Sequence, residues 1–306
     1  MTPLRKMMLE ELQRRNYSQT TTRTYLQIVR DFAKHFNRPP DALGPDEIRT
    51  YQAHLLEERK LEPRTVGLHT AGLRFLFVKT LKRPYLYEEL PYPKRPRQLP
   101  IILSQEEAAQ LIASASNLFH RAMLMTLYST GMRRAELCQL KVEDLDGGRM
   151  IIHIRHGKGG KDRDVPFDPK LRETLREYYR WMRPKTYLFP GTEKGWRADK
   201  PITAKVLWEA CREAAQRAGI TKRVNPHLLR HSFATHLIEN GADLPTVQTL
   251  LGHADLKATS IYLHLSQRHL KAAGTPLDKI EVTTALDQVK RSRKLHKQPP
   301  PVVEQK

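Results

Sequence analysis

Cysteine is nearly absent from this chain of 306 residues. Its two cysteines, Cys138 and Cys211, lie far apart in apolar, helix-like runs. That excludes a disulfide framework or a cysteine-based zinc site and leaves both as small core residues. Long apolar runs are missing too: none approaches the roughly 18 residues of a membrane span, and the opening MTPLRKMMLEEL sets acidic residues where a secretory signal needs an unbroken apolar segment. A cytoplasmic protein with no membrane partner is expected. Acidic residues are in short supply: 33 Asp plus Glu face 53 Lys plus Arg, for a net charge of +20 and a pI near 10.0. Such an excess attracts a polyanion through counterion release. Nucleic acid is the partner it points to, although ribosomal factors and membrane-surface proteins share the property.

With 39% hydrophobic and 28% charged residues, the composition is that of a folded chain, and its length predicts two domains, each able to bury its own core. Residues 4–80 carry helical periodicity in four blocks, MMLEELQRR, TTTRTYLQIVRDFAKHF, GPDEIRTYQAHLLEER and EPRTVGLHTAGLRFLFVKTL, which predicts a four-helix domain over residues 1–88. Residues 89–103 follow as a basic connection, in which Pro91, Pro93, Pro96 and Pro100 preclude a helix and Lys94, Arg95 and Arg97 suit DNA phosphates. A second domain, 104–281, opens on a capping box formed by Ser104 and Glu107. It is predicted to be mostly helical, with one small antiparallel sheet in RMIIHIRHGKGGKDRDVPFD, where β-branched residues alternate around a glycine turn. The tail 282–306, with six Lys/Arg, two acids and a triple proline, is expected to be disordered or ordered only on a partner.

Individually, the residues able to do chemistry have ordinary explanations. In STGMRRAELCQL, Arg133 leaves a glycine turn from which it could be aimed into a cleft, with Arg134 directed elsewhere; alone, such a pair reads as solvated arginines. Lys158 sits at the glycine-flanked tip of the expected hairpin, where lysines usually serve only as soluble turns. In NPHLLRHSFATHLIENG, Asn225 can cap a helix, Pro226 suits its first turn, and His227 and Arg230 share one face near its N-terminus, a setting that favours an anion. His227 and His231 have a zinc-compatible spacing, but they lack the glutamate of a zinc protease and a third ligand. LLGHADLKATSIYLHLS has poor periodicity, which suggests one helix ending at Gly252, a turn presenting His253, and a second helix bearing Tyr262. His264 reads as a surface or packing histidine. Taken alone, Tyr262 reads as core.

The order of these pieces changes that reading. TGMRRAEL, GKGGKDRDVPF, HLLRHSFATHL and LGHADLKATSIYLH together resemble the tyrosine recombinase (phage integrase) family, within it the short, two-domain Xer-like members, over residues 5–270. The resemblance implies a mainly α fold with a small antiparallel β-sheet: an N-terminal four-helix SAM-like core-binding domain and a C-terminal α+β catalytic domain. It makes Arg133 and Arg230 phosphate-binding arginines, Lys158 the hairpin lysine, His227 the partner of Arg230, His253 a further member and Tyr262 the nucleophile. Glu136 falls at the family's acidic position, a structural support that orients Arg133 or the local turn.

Chemistry supports the same assignments. Guanidiniums donate in a planar fork to the non-bridging oxygens where charge accumulates, and a phenol with an ordinary pKa of about 10 needs both a base and a cationic site. His227 is the candidate base, and Lys158 the general acid for the leaving 5′ oxygen that the resemblance implies. A 3′-phosphotyrosine retains the bond energy, so neither ATP nor a metal or other cofactor is expected. The resemblance further implies a tetramer assembled on two duplexes, homomeric or with a related recombinase, that passes through a Holliday junction and docks its C-terminal segment on a neighbour. A type IB topoisomerase-like relaxase and a non-enzymatic DNA-binding protein are the alternatives; the latter leaves the ordered motifs unexplained.

Overall fold

A computed structural model describes residues 2–83, 90–94, 99–155, 162–193 and 196–266. The chain divides into two compact units, Met1–Gln98 and Leu99–Lys306.

In the first unit the helices are α1 (Pro3–Arg14), α2 (Gln19–Phe36), α3 (Pro45–Ala53) and α4 (Pro63–Arg74). α1, α3 and α4 each begin on a proline, whose fixed φ and missing N–H cost nothing in a first turn. Ser18 caps α2 by accepting from Thr21 N at 3.2 Å, and the Glu47 carboxylate accepts from Gly44 N at 2.9 Å at the start of α3. α3 and α4 continue as π-helical turns through Glu58 and Thr80. The core is apolar and aromatic. Phe32 meets Tyr51 and Phe77 edge-on at centroid distances of 5.1 and 6.1 Å, and Leu12, Ile48, Leu55 and Leu73 fill the space around them.

The second unit orders α5 (Gln105–Ala113), α6 (Leu118–Thr130), α7 (Arg134–Gln139), β1 (Leu145–Asp146), β2 (Ile151–Ile154), β3 (Arg163–Pro166), α8 (Pro169–Met182), β4 (Pro190–Glu193), β5 (Trp196–Pro201), α9 (Ala204–Arg217), α10 (Pro226–Glu239), α11 (Leu244–Leu251) and α12 (Ile261–Leu265). β1, β2 and β3 form one antiparallel sheet, with Ile152 opposite Val165 and Ile154 opposite Arg163. β4 and β5 add a second hairpin that the sequence did not predict, because its charged, irregular register shows no alternation of apolar residues. The chain enters the unit pinned to α10: Leu103 N donates to Ser232 Oγ at 2.9 Å, while Leu103 O lies 3.0 Å from His236 Nε2. Among the described residues no helix is long and apolar enough to cross a membrane.

Candidate active site

Two glycine turns build the frame. Gly131, which ends α6, and Gly252, which ends α11, both adopt the left-handed conformation, with φ of 58° and 62°. A Cβ at Gly131 would run into the Phe233 ring, and one at Gly252 would press on the Arg163 side chain at 3.1 Å. Their carbonyls are used as well. Arg230 is buried in α10 and donates from Nη1 to Gly131 O and from Nη2 to Leu251 O, each at 2.7 Å. Arg133, at the N-cap of α7, donates from Nη2 to Gly252 O at 2.9 Å.

The buried Glu136 carboxylate joins the two sides of this frame. It accepts from Arg133 N and Nη1, each at 2.7 Å, and from Arg163 Nη1 and Nη2 at 3.1 and 2.7 Å. Burial alone would raise its pKa. Hydrogen bonds and charge from Arg163 and Arg133 outweigh burial and hold it down to about 2. Arg163 also donates from Nε to Leu250 O at 2.7 Å, so β3, α7 and the end of α11 share one ionic joint. The carboxylate thus fixes Arg133, and the orienting role expected of Glu136 has a concrete geometry. Arg163 was not singled out from the sequence, although its alternation with buried Val165 places it on the inner face of β3, an unusual position for a cation.

Tyr262 lies in this frame, 1% exposed, packed with Ala234, Ile238, Val247 and Leu251. His231 Nδ1 is 3.0 Å from its Oη. His253 stacks on the ring, with centroids 6.3 Å apart and planes 13° apart, while its Nδ1 lies 2.9 Å from Thr259 Oγ1. Burial raises the Tyr262 pKa above its ordinary value, and the Arg230 and Arg133 cations offset only part of that rise. Burial first, and then the cationic surroundings, push His231 and His253 down to about 4, so both imidazoles are neutral at pH 7. Arg230 is lowered to about 10, by burial and then by Arg133, and stays charged.

His227 stands edge-to-face with His231, centroids 4.3 Å apart. The structure therefore brings Arg133, His227, Arg230, His253 and Tyr262 into one region. Lys158, the hairpin tip, lies outside the described residues, as do Arg95 and Arg97 of the linker and the tail from 267 onward. His227 was the base expected from the sequence; the nitrogen set at the phenol oxygen is that of His231, which the sequence suggested only as a zinc-spaced neighbour. Its spacing of four from His227, which places the two imidazoles on one helical face, was the available signal. Among the described residues no group of three or more His, Cys, Asp or Glu side chains is arranged to hold a metal ion.

The site can hold an anion and activate a phenol. Each arginine fork carries five N–H donors, and the hydrogen bonds named above occupy two on each.

Residues 102–269 match the phage integrase family, and residues 4–86 match the SAM-like N-terminal domain of phage integrases. The protein y4qK of Sinorhizobium fredii, whose name places it among integrases/recombinases, is 46% identical over 91% of this chain and 89% of its own. Tyrosine recombinase XerC of Bacillus subtilis is 34% identical over 87% of this chain and 93% of its own. Among solved structures, a lambda integrase tetramer bound to a Holliday junction shares the fold with a TM-score of 0.66 at 19% identity, over 90% of this chain and 78% of that one.

Proposed function

The chain belongs to the phage integrase family and is a tyrosine-type site-specific recombinase, and from that premise we propose that it cleaves and rejoins double-stranded DNA through a 3′-phosphotyrosine on Tyr262. The observation that best supports this reading is the electrostatic setting of Tyr262: a buried phenol in contact with a neutral imidazole, and within the field of two guanidiniums that oppose the effect of burial. A phosphodiester held by Arg133 and Arg230 would present its phosphorus to that oxygen, and the same cations would stabilise the charge gathering on its non-bridging oxygens. His253 and His227 add hydrogen bonds around the phosphate, and Lys158 protonates the departing 5′ oxygen. Guanidinium charge replaces a metal ion, and the phosphotyrosyl bond retains the energy of the broken one, so neither metal nor ATP is consumed.

Lambda integrase assembles as a tetramer on a Holliday junction. By likeness this chain acts as a tetramer on two duplexes, homomeric or with a related recombinase, and passes through the same kind of junction. The helical domain, residues 1–88, grips DNA, and the basic connection 89–103 suits its phosphates. The work is done in the cytoplasm, on the nucleoid.

The test is a nicked suicide duplex carrying the recombination site. The wild type should form an SDS-resistant adduct that persists in excess EDTA, and Tyr262→Phe should bind the duplex and form none. An adduct from Tyr262→Phe would refute the assigned nucleophile, and loss of cleavage in EDTA would point to metal-dependent hydrolysis.

A further inference from the structure

Attack on phosphorus requires the Tyr262 hydroxyl to give up its proton, and the nitrogen in contact with that hydroxyl belongs to His231, with Nδ1 3.0 Å from Oη. The neighbouring histidines are placed differently. His253 runs nearly parallel to the phenol ring, with centroids 6.3 Å apart, and its Nδ1 is engaged with Thr259. His227 stands edge-to-face with His231, one helical turn nearer the N-terminus of α10. We infer that His231 is a catalytic residue, the general base that takes the Tyr262 proton on Nδ1 as the phenol oxygen bonds to phosphorus. The inference rests on Tyr262 being the nucleophile.

The groups facing His231 are His227 and Arg230 on its own helix, His253 from the turn after α11, and Tyr262 from α12. Burial, followed by the charges of His227, Arg230 and His253, keeps the imidazole neutral, so in the tautomer protonated at Nε2 the Nδ1 lone pair is open to the phenol proton at neutral pH. A base this weak does not ionise a free phenol ahead of attack. The transfer accompanies bond formation, because the phenol oxygen loses its basicity as it bonds to phosphorus. The substrate also helps: a phosphodiester anion beside Arg230 and Arg133 opposes the cationic field that disfavours imidazolium, raising the proton affinity of His231 when DNA is bound.

The step balances. The Oη–P bond forms and the P–O5′ bond breaks. The phenol proton ends on His231, giving imidazolium, and the 5′ oxygen receives a proton from the acid assigned above to Lys158. Rejoining returns both protons.

The decisive variant is His231→Asn, whose Oδ1 occupies about the position of Nδ1 and can accept the same hydrogen bond but cannot become a cation. DNA binding, read by gel shift, should stay within about twofold of wild type. Single-turnover adduct formation on the nicked duplex should fall by about 10²- to 10⁴-fold, the usual range for a lost general base. The residual rate should climb about tenfold per pH unit between roughly pH 7 and 9, where the wild type is flat, as the variant comes to depend on phenol ionisation.

A duplex with sulfur at the bridging 5′ position, whose thiolate leaves without a proton, should rescue Lys158→Ala and leave His231→Asn slow. Should His231→Asn fail to fold by thermal melting, His231→Ala is assayed with added imidazole, where adduct formation rising with imidazole supports the base. A folded His231→Asn with near-wild-type rate and a flat pH profile overturns the inference, as does its rescue by the sulfur duplex. These failures are separable from failure of the nucleophile: an adduct from Tyr262→Phe defeats the reading of Tyr262, whereas an inert Tyr262→Phe beside a fully active His231→Asn defeats only the base.

Discussion

Tyr51 on α3 and Tyr262 on α12 are equally buried, at 2% and 1% exposure, yet they differ in the groups that surround them. Tyr51 sits in a cage of rings, with Phe32 at 5.1 Å and His35 at 5.2 Å between centroids. Burial dominates there and pushes its phenol up to about 12. Tyr262 experiences the same desolvation, but Arg230 and Arg133 oppose it, and an imidazole nitrogen touches the hydroxyl. Burial therefore does not distinguish a packing tyrosine from a nucleophile; the charges sharing its cavity do. The two units differ in the same way. The helical unit is closed by apolar and aromatic interlock, whereas the catalytic unit buries Glu136 and Arg230 and must satisfy both.

The strongest challenge to this contrast is removal of the charge. Arg230→Gln should reduce adduct formation by about 10²- to 10³-fold, the scale of one lost transition-state donor, and should move the Tyr262 phenol upward toward the behaviour of Tyr51 in a spectroscopic titration. An unmoved phenol would mean that the arginines do not set its acidity.

Next in size is Glu136→Gln, which leaves Arg133 and Arg163 without their shared anion. A loss of about 3 kcal/mol is expected on chemical denaturation, with amide exchange accelerating in α7 and β3 while α2 and α4 stay protected. The acid response follows the same group. Its folded pKa of about 2 lies below the ordinary 4.5, so its contribution is complete above about pH 4.5 and is lost as pH falls toward 2. His231 and His253, lowered from 6.5 to about 4, add an earlier decline as pH falls through that interval, because the unfolded chain takes up their protons first. In Glu136→Gln the later decline should shrink while the earlier one is unchanged.

Gly131→Ala should cost about 1–3 kcal/mol through its left-handed φ and collision with Phe233, and should slow cleavage further by displacing the carbonyl that braces Arg230. Equal losses of stability and of rate would show that the turn does not aim the arginine. The smallest effect belongs to Tyr51→Phe, expected to stay within about 1 kcal/mol in stability and to leave cleavage unchanged. A cleavage defect approaching that of Tyr262→Phe would erase the distinction between the two tyrosines.

Much of the architecture was readable along the chain. The helices of the first unit begin where proline and serine mark them, and α10 starts at Asn225 and Pro226 as its caps require, with Asn225 Oδ1 accepting from His227 N and Leu228 N, each at 3.0 Å. The break at Gly252 was also visible, since a left-handed residue is needed to end α11 before His253. The β4–β5 hairpin was not, because its pairing depends on backbone hydrogen bonds rather than on an apolar pattern.

What the sequence determined by itself is therefore local or ordered along the chain: helix limits, the glycine turns, the basic balance, and the succession of motifs that identifies a tyrosine recombinase. Tertiary structure alone decided which groups meet. It set Arg163 and Glu136 together across 27 residues and brought His231 to Tyr262 across 31. The reason is physical: caps and turns are satisfied by neighbours within a few residues, whereas the hydrogen bonds of a buried ion or phenol are satisfied by whatever side chain the packing of distant helices delivers.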